Sequence, residues 1–335
     1  MVPPGFNLDN PVGTGPFVYK SFDPGQQSVF TANPDWWGDD GPWVDELVIK
    51  DIEDDTARVN ALIAGQVHAI SSLPYSQVKI IESTAGLQAV INDQATTFNF
   101  FFFRTDLEPF NDTRVLQALK LVLDREEIIN QAVSGYARVG NDVFGIADPG
   151  YDHSLPQRIQ DIDAAKKLLA EAGQSDLSFE MVVAPIGLGM VEACEVFVTQ
   201  AAKAGITVTL NQVDSGTLFG AQYLSWPAGV DIGTGTGVIT SASLINARGA
   251  GWNVSHFDHA EYNEVYEKAR ATLDLDERNK LVAQMCRIMY DEDGIIIPFF
   301  PYVIDAASTK TTGWTTWKGG VLLNDGHLER IALTD

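Results

Sequence analysis

Residues 98–133 read FNFFFFRTDLEPFNDTRVLQALKLVLDREEIINQAV, and the fold follows from how this stretch changes character along its length. Phe98, Phe100, Phe101, Phe102 and Phe103 form a run too apolar for a surface loop and too short to cross a membrane, which predicts a strand buried on both faces. Pro109 and the Asn111-Asp112 pair end it. From Asp112 onward, Val115, Leu116, Leu119, Val122 and Leu123 fall on one face of a helix. Asp124 is placed to cap a second helix, with Glu127 in the capping-box position and Ile128, Ile129 and Val133 on its buried face. The stretch reads as a crossing between two lobes, each with its own core.

Length and composition agree with that reading. The 335 residues suffice for two compact lobes, and 45% hydrophobic with 20% charged residues is the composition of an ordinary globular chain. Charge is the unusual feature: 22 Lys and Arg stand against 45 Asp and Glu, a formal charge of −23. Such a surplus repels phosphate backbones and anionic lipid, so a nucleic-acid partner is set aside. Cys194 and Cys286 lie far apart in helical, apolar contexts and predict buried thiols, although an oxidising compartment would permit a bridge. No apolar run approaches the roughly 18 residues of a membrane span, and MVPPGFNLDNPVG lacks the features of an export signal.

Walking outward from the opening stretch, the spacing predicts strands near 17–19, 28–31, 44–49 and 67–70, and a helix capped by Asp54 or Asp55 that stops at Gly65. The strand, helix and strand from Val44 to Ile70 suggest a crossover unit. Trp36, Trp37 and Trp43 are expected to pin their loop to its lobe. After the opening stretch, residues 139–156 read as a loop and Asp163 caps a helix closing at Gly173. A strand at 177–183, a helix at 191–202 and a strand at 206–210 mark a second α/β lobe. Helices at 261–272 and 276–290 precede IIIPFF at 295–300, a buried strand bent at Pro298.

Several of these segments carry a family resemblance. PFNDTRVLQALKLVLDRE at 109–126 resembles the signature of the family 5 extracytoplasmic solute-binding proteins, the peptide-, nickel- and oligosaccharide-binding receptors of ABC importers. NPVGTGPF at 10–17, NPDWWG at 33–38, DDTARVNALIAGQV at 54–67, DAAKKLLAEAG at 163–173, AGITVTL at 204–210 and HFDHAEYNEVYEKA at 256–269 match the same family in the same order. The resemblance implies a type II periplasmic-binding-protein-like α/β fold with two lobes joined by two hinge crossings. Lobe I would comprise residues 1–103 plus 300–335, and the second lobe residues 104–299. Family members reach the GTGPF motif only after a signal peptide, strands of lobe I and a small extra lobe, so the first lobe is expected to lack its N-terminal part.

Function follows as an implication of that resemblance. A peptide or peptide-like solute would be captured between the lobes, outside the cytoplasm, and delivered by a monomeric receptor to membrane permease subunits. Tyr223, Trp226 and Asp231 lie in a stretch similar to the family's ligand loop, where an acidic group can take a ligand ammonium. Trp252 and Asn253 resemble the end of the cleft wall, and Phe98 and Phe100 are the expected contacts from the crossing strand. The rival reading, a metal-dependent or serine-type hydrolase acting on peptides or esters, finds no G-x-S-x-G or H-E-x-x-H. His256 and His259 stand three apart, yet a capping role for Asp258 accounts for their surroundings. GTGTG at 233–237 lacks the dinucleotide spacing and reads as a flexible loop. No catalytic residue, metal or cofactor is expected.

Overall fold

The computed structural model describes Asn7 and residues 11–235, 237–320 and 322–334; Asn10, Thr236 and most of the residues read for an export signal lie outside the described residues. In chain order the elements are β1 (Phe17–Asp23), β2 (Gln27–Ala32), β3 (Glu46–Lys50), α1 (Asp55–Ile63), β4 (Ala69–Ile70), α2 (Val78–Ser83), β5 (Leu87–Asn92) and β6 (Phe98–Phe103). Next come α3 (Thr113–Leu121), α4 (Arg125–Ala132), β7 (Ala137–Val139), α5 (Ile162–Glu171), β8 (Ser178–Val183), α6 (Met190–Lys203), β9 (Thr207–Gln212) and α7 (Ser215–Leu218). The chain continues through β10 (Ala228–Gly233), α8 (Val238–Ile245), α9 (Ala260–Ala271), α10 (Leu275–Glu292), β11 (Ile295–Pro301) and β12 (Val303–Ser308). Two compact units result, one of Met1–Asn92 with Val303–Asp335 and one of Asp93–Tyr302.

The second unit is built on a six-stranded sheet in the order β7-β11-β6-β10-β8-β9. Its central strand β6 is buried throughout, as the phenylalanine run requires. Alternation sends Phe98, Phe100 and Phe102 into a cluster with Phe144, Tyr262 and Met285. Phe101 packs 5.2 Å from Phe197, and Phe103 packs 5.1 Å from Phe110, on the other face. Because β6 and β11 are paired, both belong to this unit, and the chain passes between units after Asn92 and Tyr302 rather than at residues 103 and 300.

Side-chain caps start the helices here. Asp112 accepts from Arg114 N, and Asp124 from Glu127 N. The reciprocal half of the expected capping box is made by another residue: Gln200 Oε1 accepts from Asp124 N, while its amide nitrogen donates to Glu127. Asp161, not Asp163, caps α5, and His259, not Asp258, caps α9, its Nδ1 accepting from Tyr262 N at 3.2 Å.

Charge is buried beneath these helices. The Asp142 carboxylate receives both bonds of a fork from Arg125 Nη2, at 2.8 and 2.9 Å, lies 3.2 Å from Arg158 Nε, and accepts from Ile297 N. Lys120 Nζ donates to the carbonyls of Met289 and Tyr290 in the last turn of α10, and burial pushes its pKa down to about 8. The network ties α3, α4, α10 and β11 into one block.

The first unit departs from expectation. It contains two three-stranded antiparallel sheets, β1-β2-β3 and β4-β12-β5, so the strand, helix and strand around α1 are not a parallel crossover: β3 and β4 lie in different sheets. The tryptophan loop is fastened less by burial than by hydrogen bonds. Trp37 is 79% and Trp43 57% exposed, while Trp37 Nε1 donates to Thr14 O and Trp43 Nε1 to Asp40. Cys194 and Cys286 are free, buried thiols, each with its pKa raised by desolvation.

Candidate functional site

Strand direction selects one rim of the six-stranded sheet. β10 and β8 are adjacent and parallel. From the carboxyl end of β8 the chain runs through α6 to β9, away from β10; from the carboxyl end of β10 it runs through α8, α9 and α10 to β11, away from β8. Connections that diverge from neighbouring parallel strands leave a crevice between them, the usual ligand position in open α/β sheets. Residues 184–189 and 233–235 flank it. β6 begins at the same rim, since Phe98 pairs with Gly233, and β11 ends there, since Phe299 pairs with Asn99.

The glycines at this rim are packing devices. A methyl group on Gly233 would sit 2.1 Å from the buried Phe98 ring, so the start of GTGTG is set by close packing in β10 rather than by loop flexibility. Asn99, the one polar residue of the phenylalanine strand, is buried and donates to Leu188 O at 3.4 Å. It thereby holds the loop after β8 against the start of β6.

Asp231 sits in β10, 4% exposed and facing the same side as Phe100. Tyr223 donates its hydroxyl to Asp231 Oδ2 at 2.5 Å, and Ile232 N donates to Oδ1 at 2.7 Å. Burial pushes the Asp231 pKa up to about 6 against the opposing effect of those two bonds; burial, then the carboxylate charge, keeps the Tyr223 phenol protonated. The turn carrying Tyr223 is tied down from outside. Arg104 Nη1 donates to Ser225 O, and His256 Nε2 lies 2.8 Å from Leu224 O. Trp226 packs half-buried against the aromatic cluster and donates to Leu218 O.

The structure therefore brings Tyr223 and Asp231 together and places Trp226 in the same segment. It corrects Phe98 and Phe100, whose side chains are sealed in the core and hold the sheet instead of meeting a solute. Trp252 is 54% exposed, whereas Asn253 is turned inward, its amide exchanging two 3.0 Å bonds with the backbone of Phe257. His256 and His259 go separate ways, the second reaching Glu292 at 3.2 Å. Among the described residues no group of three or more His, Cys, Asp or Glu is arranged to hold a metal.

The Asp231 environment has a pH consequence. The folded pKa of about 6 lies above the ordinary value of about 3.9 for an unfolded chain, so the folded state holds the extra proton between them. The favourable contribution of the protonated acid is fully present below about pH 4 and is lost as pH rises through about 6. Asp231→Asn is expected to gain about 2–3 kcal/mol on wild type between pH 4 and pH 7, read from paired denaturant curves. A constant difference between the two proteins across that range refutes the buried carboxyl.

Two rim residues escaped the sequence reading. Asn99 was hidden inside a hydrophobic run, where a lone polar residue was itself the signal. Arg138 lies in β7, a three-residue strand whose end fell in a stretch read as loop; Phe300 pairs with it in β11.

Comparison with known proteins adds the family relationship. The model of the bacterial extracellular solute-binding proteins, family 5 Middle, matches residues 3–237. The chain is 32% identical over 173 residues to the oligopeptide-binding protein AppA of Bacillus subtilis, covering 51% of this chain and 31% of the relative. It is 24% identical over 316 residues to di/tripeptide-binding protein 2 of Pseudomonas aeruginosa, covering 91% of this chain and 59% of the relative. The chain thus spans less than two thirds of the length of either. In fold it is similar to the periplasmic binding protein DppA of Helicobacter pylori, solved with the peptide STSA, at a TM-score of 0.83 and 18% identity over 98% of this chain and 64% of that one.

Proposed function

We propose, from the premise that the chain belongs to the bacterial extracellular solute-binding proteins of family 5, that it captures a peptide or peptide-like solute and hands it to the permease of an ABC importer. The observation that carries this reading is the crevice at the carboxyl ends of β8 and β10, flanked by glycine-rich loops whose backbone groups suit a peptide backbone. The names of the relatives, oligopeptide- and di/tripeptide-binding proteins, support the solute class. Asp231, released from Tyr223, is the group to balance a solute ammonium, and Trp226 and Trp252 offer apolar area. Asn253 positions its loop. The receptor acts outside the cytoplasm as a monomer.

Calorimetry of the purified protein against pools of di-, tri- and pentapeptides tests this. Saturable binding, weakened at least tenfold by Asp231→Ala and without hydrolysis of the bound peptide, is the expected result. Steady product release replaces the receptor by an enzyme, and peptide affinity unchanged in Asp231→Ala removes that residue from recognition.

A further inference from the structure

We infer that Arg138 is the anion seat of the sheet rim, taking the carboxylate of a short extended solute that lies across the strand ends. This rests on the peptide-receptor reading for the identity of the solute, but the seat itself stands on the geometry around Arg138.

Arg138 is half-buried in the middle of the short strand β7. Its guanidinium lies 5.8 Å from the centroid of the Phe300 ring, and Nη2 donates to Ala95 O just before β6. Nε is buried and has no hydrogen-bond partner. Other buried or half-buried arginines of the chain are matched with carboxylates: Arg58 with Asp55, Arg104 with Asp106, and Arg125 and Arg158 with Asp142. Arg138 has no such carboxylate partner among the described residues; the solvent-exposed Asp93 and Tyr302 bear on it electrostatically. An unfilled N–H on a partly desolvated guanidinium is costly in isolation and is satisfied by a bidentate acceptor, which a carboxylate supplies. In a chain of formal charge −23, a cation left without a carboxylate partner at the ligand rim is the more pointed.

Position agrees with chemistry. Pairing of Phe300 with Arg138 places β7 at the same end of the sheet as the carboxyl ends of β8 and β10. From β7 to β10 there are three strand steps in the order β7-β11-β6-β10. At about 4.8 Å per step this is roughly 14 Å, the length of about four extended residues at about 3.4 Å each. A solute with an ammonium at Asp231 and a carboxylate at Arg138 is accordingly a peptide of about four residues.

The experiment pairs two probes. Calorimetry compares a tetrapeptide pool carrying free carboxylates with the same pool amidated, on wild type, Arg138→Gln and Arg138→Lys. Wild type should prefer the free acids at least tenfold, Arg138→Gln should bind both pools alike at the amide level, and Arg138→Lys should keep part of the preference. Equal affinity of wild type for the two pools, or an equal loss for both in Arg138→Gln, overturns the seat while leaving the receptor reading intact; the second pattern is that of a residue that merely fastens Ala95. If no pool binds wild type, the receptor reading fails, and the second probe decides the seat alone. The Arg138 Nε–H resonance of ¹⁵N-arginine-labelled protein, assigned by its loss in Arg138→Gln, is titrated with acetate: a saturating shift supports the seat, and an unmoved resonance overturns it.

Discussion

Asp142→Asn is expected to cost about 3–5 kcal/mol, because it strips the counter-charge from two buried guanidiniums at once. Arg125 and Arg158 are 3% and 7% exposed, and both converge on this one carboxylate. Asparagine keeps the shape and the acceptor for Ile297 N, and it tolerates the left-handed backbone at this position, φ 63°. The loss therefore reports charge and not backbone strain. Lys120, buried nearby and pushed toward its neutral form by desolvation, loses the Asp142 charge that opposes that push. Denaturant unfolding of the purified variant gives the number, and adding Arg158→Met should recover part of it. A loss below 1 kcal/mol contradicts a dry, coupled triad.

Gly140→Ala is expected to be nearly as damaging, through sterics alone. A methyl group there meets Ile297 O at 2.1 Å, and the obstacle is backbone, which cannot swing aside. Register between β11 and β6 is irregular from Ile296 to Phe299 because Pro298 has no N–H for the ladder; Gly140 N donates to the Pro298 carbonyl at 2.9 Å and seats β7 against the irregularity. Alanine must push β7 outward. A loss of about 2–3 kcal/mol is the expectation, and Arg138, two residues away, should move with the strand. Unfolding curves and the arginine Nε–H spectrum measure the two effects. A variant as stable as wild type with an unshifted Arg138 signal shows that the strand contact is looser than described.

Readability of the sequence tracked how redundantly each feature was encoded. β6 was legible because five phenylalanines in six positions admit no solvent face, and the caps at Asp112 and Asp124 were legible because a short acceptor preceded a periodic apolar face. α5 and α9 were mis-capped for a physical reason. Asp161 and Asp163 are equally good acceptors two residues apart, and histidine caps only with an unprotonated Nδ1, a state no sequence displays. Alternation could not reveal what lay above each face, so Phe98 and Phe100 passed as solute contacts although Phe144 and Phe300 cover Phe98 and the aromatic cluster closes over both. β7 has three residues and no pattern of its own; it exists because β11 offers it an edge. The pairing of Tyr223 with Asp231 was foreseeable from their closeness in sequence. The isolation of Arg138 was not, since it depends on which carboxylates the fold places elsewhere.

The pairing of Val303 with Asn92 bears on the order in which the molecule can be assembled during synthesis. β5 emerges from the ribosome long before β12, its partner through all six positions, and β4 also waits for β12. Every strand of the six-stranded sheet, by contrast, has been made by residue 301. The second unit can therefore close first, and once it has, its two ends turn a search over two hundred residues into the closure of a short loop, whose entropic cost is small. The first unit is then completed by a template already in place, and chains stalled before residue 303 leave β4 and β5 without the strand that joins them.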